Sequence, residues 1–282
     1  FTRMHVYTHI SDEIRGQAGV WQSPYHDAMV EHDQQVGVLL DKLEEWGIAE
    51  DTIVIYSTDN GAMESTWPDG ATTPFRSEKD TSWEGAYRVP LLLRWPGMVE
   101  PRSVCNEIVA SHDWLPTFLT AAGEPGIVDK LKKGYEANGK TYKVHIDGYD
   151  LTPYLSGNAE HHERETFFYF SDDGDLVALR MDNWKIVFME QRATGTLMLW
   201  MNPFTPLRTP KIFNLRTDPY ETGDVTGNTY YDWILRHEYL YVPAQGLVGE
   251  FLKTFEEFPP RQAAASFTIG DALKKLQGKG SR

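Results

Sequence analysis

Two short apolar segments place the strictest limits on the fold of this chain. Residues 52–58 and 89–95 are rich in β-branched and aliphatic side chains and lack a regular polar alternation. Such runs are typical of strands covered on both faces, as in a parallel sheet flanked by helices. The first run ends in Asp59-Asn60-Gly61 and the second in Pro96-Gly97. We therefore expect a central sheet with helices on its faces.

Helical periodicity surrounds these two runs. Within residues 27–46, apolar side chains recur at three- and four-residue spacing, and Gly47 follows where a helix is expected to stop. A shorter helix is predicted over residues 112–122, with its large apolar side chains on one side. Helix, strand, long polar loop, strand and helix in succession predict an α/β fold.

The pattern changes after Gly157-Asn158. Two strand-like segments flank Asp172-Asp173-Gly174-Asp175, whose Asp-Gly pair predicts a tight hairpin turn. Residues 184–188 continue an antiparallel meander, and helical patterns follow towards the end of the chain. We therefore expect an α/β domain over residues 1–160 and a smaller α+β subdomain over residues 161–282.

Composition excludes several classes of protein. The chain carries 27 Lys and Arg against 41 Asp and Glu, a formal net charge of −14 at pH 7. This charge repels nucleic-acid phosphates, so we expect no nucleic-acid partner. No apolar stretch approaches the roughly 18 residues of a membrane span, so none is expected. The single Cys105 excludes an internal disulfide framework and, beside an apolar run, is expected to be buried.

Asp59 and Asn60 are candidate metal ligands. They follow a predicted strand, and ligands bind at the carboxyl ends of strands in open α/β sheets. A carboxylate and an amide oxygen side by side suit a hard cation such as Ca²⁺ or Mg²⁺. With Gly61 they also form an ordinary turn sequence. From these residues alone, both interpretations remain open.

Lys79 and His5 are candidate ligands of an anion. The loop over residues 74–85 links the two predicted strands, so Lys79 should lie over the same sheet edge as Asp59. A lysine there can act as a point-charge ligand, or it can be a solvated side chain on a charged loop. His5, at the end of a predicted first strand, can donate to an anion or protonate a leaving group, or it can be structural.

Taken together, these segments resemble the sulfatase family, specifically the bacterial arylsulfatases, within the alkaline-phosphatase-like superfamily. The segment 78–90 is similar to the family's lysine loop, which runs into Glu-Gly-Gly-x-Arg-Val-Pro, with Ala86 in place of the second glycine. The segments that carry the resemblance span nearly the whole chain and are residues 2–5, 53–61, 78–90, 112–117, 213–221 and 258–262.

The resemblance implies a fold and a reaction. The fold would be an incomplete alkaline-phosphatase-like α/β/α sandwich, followed by an α+β subdomain with an antiparallel sheet. The reaction would be hydrolysis of a small-molecule or carbohydrate sulfate ester. Asp59 and Asn60 would ligate Ca²⁺, with Mg²⁺ as the alternative, while His5 and Lys79 would bind the sulfate group and assist catalysis. Arg88 would tether the loop rather than touch the substrate.

One part of the family pattern is absent from this chain. The family nucleophile is a formylglycine made from Cys in a Cys-x-Pro/Ala-x-Arg motif, and Cys105 is followed by Asn-Glu-Ile-Val. We therefore expect the chain to be the C-terminal part of a sulfatase, inactive alone, with the formylglycine in a part before Phe1. That N-terminal half, or an oligomer, is expected to cover an exposed sheet edge. The family resemblance suggests a periplasmic or secreted location, which no segment of this chain specifies.

Two other functions remain open at this stage. A phosphoester hydrolase of the same superfamily would use a Ser, Thr or unmodified Cys nucleophile and often more His ligands. Asp59-Asn60 in place of an Asp-His pair counts against it. A non-catalytic sulfatase-like fragment would use the fold for binding only. Residues 67–70 and 130–143 are predicted to line the pocket that selects the alcohol.

Overall fold

The computed structural model describes residues 9–19, 23–64, 70, 72–193, 195 and 198–259. Its helices are α1 (Pro24–Glu45), α2 (Glu84–Tyr87), α3 (Trp114–Ala121), α4 (Ile127–Lys133), α5 (Thr152–Leu155), α6 (Met198–Met201), α7 (Gly223–Thr226), α8 (Tyr230–His237) and α9 (Tyr241–Glu257). Its strands are β1 (Val54–Ser57), β2 (Leu91–Arg94), β3 (Tyr135–Ala137), β4 (Lys140–Tyr142), β5 (Thr166–Phe170), β6 (Leu176–Met181), β7 (Trp184–Glu190) and β8 (Thr205–Asn214). Short 3₁₀ turns lie at Ala49–Asp51, Ser111–Asp113 and Glu238–Leu240.

The long helix α1 confirms the helix predicted over residues 27–46. Pro24 stands in its first turn, where a missing N–H is tolerated. At the other end, Gly47 adopts a φ of +67° and donates its N–H to the carbonyl of Glu44 at 3.0 Å, so the helix stops there. Of the described helices, including this one of 22 residues, none has both the length and the hydrophobicity to cross a bilayer.

The pairing of β1 and β2 corrects the expected sheet. The two strands run antiparallel, with Val54 opposite Arg94 and Ser57 opposite Leu91, and within the described residues they form a sheet of their own. Neither strand is covered on both faces, since no residue of β1 or β2 is fully buried, Ser57 of β1 is exposed and Leu92 of β2 is 67% exposed. An unbroken apolar run indicates that a strand is to be buried, but it does not indicate whether the neighbouring strand is parallel or antiparallel. The prediction of parallel, fully covered strands is therefore wrong for this pair.

The antiparallel meander predicted in the second half of the chain is confirmed. Strands β5, β6, β7 and β8 form one four-stranded antiparallel sheet in sequential order. The predicted Asp-Gly turn joins β5 to β6, where Ser171 donates its N–H to the carbonyl of Asp175 at 2.9 Å and Gly174 takes a φ of +84°. A left-handed residue in this turn matches the twist of the flanking strands and explains the glycine.

The main apolar core lies on this four-stranded sheet. Its fully buried side chains come from β6, β7 and β8 and include Val177, Leu179, Ile186, Val187 and Ile212. Helices α8 and α9 add Ile234 and Ala244 to the same cluster, and Trp83 joins it from the loop before α2. The loop that carries Lys79 is thus anchored in the core of the second half of the chain. The domain boundary near residue 160 stays a prediction.

Cys105 corrects a second expectation, because it is exposed rather than buried. It lies in a stretch without helix or strand. The apolar run that follows it therefore does not dictate which way the thiol points.

A buried ion pair ties the start of α3 to the segment before β5. The guanidinium of Arg164 contacts both carboxylate oxygens of Asp113, with Nε 3.1 Å from Oδ2, and both side chains are at most 5% exposed. Asp113 also accepts the N–H groups of Ala110 at 2.8 Å and Tyr149 at 2.9 Å. The carboxylate has hydrogen-bond partners on both oxygens, so its burial is compensated.

Replacing Arg164 by Met should destabilise the protein strongly. The substitution leaves the Asp113 carboxylate buried without its charge partner, and breaking a buried pair in this way costs roughly 3–5 kcal/mol. The free energy of unfolding in urea measures the loss. Arg15→Met, which removes an exposed pair with Asp12, is the control and should change stability by less than about 1 kcal/mol. Equal midpoints for the two variants would contradict the prediction.

Candidate functional site

The turn after β1 and the loop that carries Lys79 are joined by backbone hydrogen bonds. Gly61 donates its N–H to the carbonyl of Ala86 at 2.8 Å, and Lys79 donates its N–H to the carbonyl of Ala62 at 2.8 Å. Asp59 and Asn60 directly precede the first of these donors. The backbone of the predicted metal ligands and the backbone of the predicted anion ligand are therefore neighbours. Their roles remain predictions.

The close approach at this junction requires glycine. A Cβ on Gly61 would overlap the carbonyl oxygen of Gly85 and lie 2.8 Å from its carbonyl carbon. A Cβ on Gly85 would overlap the carbonyl oxygens of Arg76 and Ser77. These obstacles are backbone atoms, which cannot swing aside as a side chain can. Close packing of the two backbones therefore requires a glycine at position 61, in addition to the preference of turns for glycine.

We expect Gly61→Ala to destabilise the protein by about 1–3 kcal/mol, because the added methyl must push the two backbones apart. Gly37→Ala is the matched control, since a Cβ at Gly37 in α1 meets nothing within 4 Å. In a helix interior that change should stabilise by about 0.5–1 kcal/mol. Guanidinium unfolding curves of both variants measure the difference. A Gly61→Ala variant as stable as the parent would show that the junction is not as tight as described.

The oxygen donors of the turn fit part of a hard-cation site. Asp59 is exposed, and its Oδ1 lies 3.3 Å from the hydroxyl of Thr58, while Asn60 is half-buried. Ca²⁺ takes about six to eight oxygen ligands, so these two side chains cannot complete its shell. Over the described ranges, no three or more His, Cys, Asp or Glu side chains group in a way that could hold a metal. Asp59 and Asn60 are compatible with a cation that takes its other ligands from elsewhere.

Lys79 lies beside an aromatic side chain that sequence reasoning missed. Its Nζ is 5.2 Å from the centre of the Trp200 ring, within reach of a cation–π contact. Trp200 belongs to the short helix α6 and remains 49% exposed. No motif in the sequence connects these two residues. Only the fold of the chain between β7 and β8 brings this ring to the loop.

Asp80, next to Lys79, lies in a negative environment created by the hairpin turn of the second half of the chain. Burial, followed by the charge of Asp172, raises the pKa of Asp80 to about 6, although the ammonium of Lys79 opposes the shift. The backbone of Asp80 has a φ of +69°. The carboxyl of Asp80 therefore gains or loses its proton near pH 6, immediately beside the predicted anion ligand.

We expect Asp80→Asn to raise the melting temperature at pH 7.5 and to leave it nearly unchanged at pH 4. A carboxyl whose pKa is higher in the folded chain contributes most stability below its unfolded pKa of 3.8, and loses it as pH rises through about 6. Asparagine tolerates the left-handed backbone, so the substitution removes the charge without adding strain.

Asp182→Asn is the control for this prediction. Asp182 is exposed and has a φ of +48°, so it shares the backbone conformation of Asp80 but not its burial. Thermal melts from pH 4 to pH 8 should show the pH-dependent difference for the Asp80 variant only. A constant difference across this range would contradict the assignment.

Behind the loop lies a group of charged and polar side chains, which we call the Lys185 cluster: the buried Glu84, Tyr169, Lys185 and Glu221, together with the more exposed Arg88. The fully buried Lys185 places its Nζ 3.0 Å from Oε1 of Glu84 and 2.8 Å from Oε1 of Glu221. The other oxygen of Glu221 accepts the backbone N–H of Glu84 at 2.7 Å. Tyr169 donates its hydroxyl to Glu84 Oε1 at 2.7 Å, and Arg88 donates Nε to Glu84 Oε2 at 2.7 Å.

The cluster sets opposite pKa directions for its two carboxyls. Burial alone raises the pKa of Glu84, but Lys185, the hydroxyl of Tyr169 and Arg88 outweigh it and bring the pKa down to about 2. For Glu221, burial dominates and raises the pKa against the opposing charge of Lys185. Glu84 is therefore the firmly ionised centre of the cluster. Arg88, as expected, binds within its own loop.

Part of this cluster was accessible to sequence reasoning. Lys185 shares its face of β7 with Val187, which is fully buried, so strand alternation was a signal for a buried lysine. Glu84 and Glu221 belong to two of the segments that carry the family resemblance, but nothing in either segment indicated contact with the other.

Several predicted site residues lie outside the described residues. His5 is one of them, and so are residues 67–69 of the first predicted pocket wall. The second predicted wall, residues 130–143, forms the end of α4 and the hairpin of β3 and β4. Its Lys130 and Tyr135 both contact Glu124. The assignment of these segments to a pocket stays a prediction.

Known proteins with related sequences and a related fold cover most of this chain. The family model named Sulfatase matches residues 22–124. Steryl-sulfatase of Rattus norvegicus is 30% identical over 249 residues, which are 80% of this chain and 40% of that protein. The crystal structure of the PsFucS1 sulfatase from Pseudoalteromonas sp. has a TM-score of 0.71 at 29% identity, over 92% of this chain and 48% of that chain. The structure of BT4656 in complex with its substrate D-glucosamine-2-N,6-O-disulfate has a TM-score of 0.50 at 19% identity, over 84% of this chain and 41% of that chain, and shares the fold.

These matches define a homologue of hydrolases of the alkaline-phosphatase-like superfamily. Within that superfamily, the chain belongs to the sulfatase family. The resemblance drawn from the sequence segments is confirmed. The chain spans 40% of the length of the steryl-sulfatase and 48% of the PsFucS1 chain that it matches.

Proposed function

We propose that this chain supplies the metal-binding turn and the sulfate-binding lysine of a sulfuric ester hydrolase. The observation that carries the proposal is the backbone junction between Gly61 and Ala86 and between Lys79 and Ala62. It holds two hard oxygen donors beside a loop that bears an ammonium group. A cation and an ammonium in this arrangement can hold a tetrahedral oxyanion between them.

Each residue of the proposed site has a distinct role. Asp59 and Asn60 would hold Ca²⁺, or Mg²⁺ in its place, and such an ion would supply Lewis-acid polarisation of the sulfate oxygens. Lys79 neutralises charge on the same oxygens, and His5 donates a proton to the ester oxygen as the alcohol leaves. The nucleophile, a formylglycine, is expected from an N-terminal part of the protein.

The overall charge of the chain makes these local cations necessary. A formal net charge of −14 disfavours any anionic ester near the surface. Asp80 and the Asp172 turn add further negative charge close to Lys79. Binding of a sulfate ester therefore depends on Lys79 and on a cation at Asp59 and Asn60, because no favourable long-range field assists it.

The surroundings of Lys79 support a cyclic alcohol as the released group. The exposed face of Trp200 lies next to the lysine and offers an apolar platform for a sugar or aryl ring. This agrees with a small-molecule or carbohydrate sulfate ester as the substrate. The sulfated sugar bound to BT4656 is in keeping with this class.

An exposed apolar surface supports the proposal that an N-terminal half of the same protein, or an oligomer, covers part of this chain. Large apolar side chains are exposed on α1, directly after its end and on β2: Val38, Leu39, Trp46 and Leu92 are each between 51% and 67% exposed. Exposed apolar side chains of this size are candidates for contact with another part of the protein or with a second copy. We propose that the chain is inactive without the part that covers it.

Lys79→Ala should lower the turnover of an aryl sulfate by about 10² in the intact protein, because one preorganised positive group is lost from the site. Lys253→Ala is the control, since that lysine is an exposed residue of α9 whose pair with Glu250 lies at the surface. Steady-state kinetics of 4-nitrophenyl sulfate hydrolysis measure both. Unchanged kinetics for Lys79→Ala would remove this lysine from the site, and faster hydrolysis of 4-nitrophenyl phosphate by the parent would contradict the sulfatase assignment.

A further inference from the structure

The Lys185 cluster is connected to the proposed site through a single short helix. Glu84 is the first residue of α2, and its side chain and backbone N–H are both held by the cluster. The next two residues of α2 make the contacts of the site. Gly85 donates its N–H to the carbonyl of Arg76 at 2.9 Å, and Ala86 accepts the N–H of Gly61. The position of α2 therefore sets the position of both the turn and the loop.

The chemistry of the cluster does not fit a purely stabilising role. Buried ion pairs commonly add little stability compared with apolar side chains of the same volume, because the desolvation of the charges offsets their attraction. Lys185 is surrounded by a sheet whose other central side chains are apolar, such as Ile186 and Val187. An apolar residue in its place would fill the core, but it would offer no partner to Glu84 or Glu221. The lysine holds the carboxylates of Glu84 and Glu221 in a fixed orientation, because both contact its ammonium group.

We propose that Lys185 is a positioning residue of the active site. Through Glu84 it fixes α2, and through α2 it holds the Asp59-Asn60 turn against the Lys79 loop. The four-stranded sheet of the second half of the chain in this way supports the proposed active site. The kinetic part of this proposal rests on the proposed sulfatase function. The structural part does not, because it concerns the backbone contacts alone.

Charge balance shows how to separate positioning from folding. With both carboxylates ionised, Glu84 and Glu221 are balanced by Lys185 and Arg88. Lys185→Met leaves one buried negative charge uncompensated and should lower the melting temperature. The double variant Lys185→Met/Glu221→Gln restores the balance, and the amide oxygen of glutamine can still accept the N–H of Glu84. It keeps the volume of the cluster but removes the lysine that joins its carboxylates.

The experiment compares these variants in the intact protein. The double variant should regain most of the melting temperature lost by Lys185→Met, while kcat for the aryl sulfate stays about 10- to 100-fold below that of the parent and KM changes little. Amide hydrogen exchange gives a readout independent of activity. The N–H groups of Gly61, Lys79 and Gly85 should exchange faster, while those in the centre of β6 and β7 keep their protection.

Lys253→Met/Glu250→Gln is the matched control, because it removes a lysine–glutamate pair of 2.5 Å from the surface of α9. It should change neither kcat nor exchange at the three amides. Tyr169→Phe provides a milder test if the double variant does not fold, since it removes only the hydroxyl that binds Glu84. We expect a loss of about 3- to 10-fold in kcat and faster exchange at the same amides.

The outcomes distinguish the two proposals. The positioning role would be overturned if the folded double variant kept the kcat and the amide exchange of the parent. If the double variant does not fold, the same result for Tyr169→Phe would overturn it. The cluster would then be only a part of the core. A parent without sulfatase activity, whose three amides nevertheless respond to the substitutions, would overturn the proposed function and retain the positioning role. A parent with sulfatase activity, whose three amides do not respond to the substitutions, would overturn the positioning role and retain the proposed function.

Discussion

The contact between the ammonium of Lys185 and the carboxylates of Glu84 and Glu221 is the constraint on which the rest of the arrangement depends. All three charged groups are fully enclosed, with nitrogen-to-oxygen distances of 3.0 and 2.8 Å. Charges without solvent are tolerated only when they are paired, so none of the three segments can move away alone. The cluster therefore holds together strand β7, the start of α2 and the segment after β8. Because the loop with Lys79 is bonded to α2, its position is set by the same contact.

This constraint explains how an acidic chain can hold in place the loop that we propose binds an anion. Lys79 lies next to Asp80, and the Asp172 turn adds negative charge on the same side. Such surroundings would draw a flexible lysine into local ion pairs. The backbone bond from Lys79 to Ala62 and the backbone contact between Gly61 and Gly85 limit that freedom. The proposed site therefore relies on a backbone that these contacts hold in place.

The accuracy of the sequence predictions follows the range of the interactions involved. Helix α1, its stop at Gly47 and the Asp172 hairpin were predicted correctly, because periodicity and turn chemistry act within a few residues. The direction of β2 relative to β1 was predicted wrongly, because an apolar run indicates that a strand is to be buried but not whether its neighbour is parallel or antiparallel. Cys105 was misplaced for a related reason, since neighbouring apolar residues do not orient a side chain outside helix and strand.

The sequence by itself determined the family, the segments that carry the proposed chemistry and the fact that Asp59, Asn60 and Lys79 belong to two adjoining loops. These conclusions rest on residue types and short spacings, which are local properties. Only the tertiary structure decided what holds those loops in place. Glu84 meets Lys185 across 101 positions and Glu221 across 137, and Lys79 meets Trp200 across a comparable distance. No local pattern can encode such pairs, because each partner is selected by how the four-stranded sheet packs against α2.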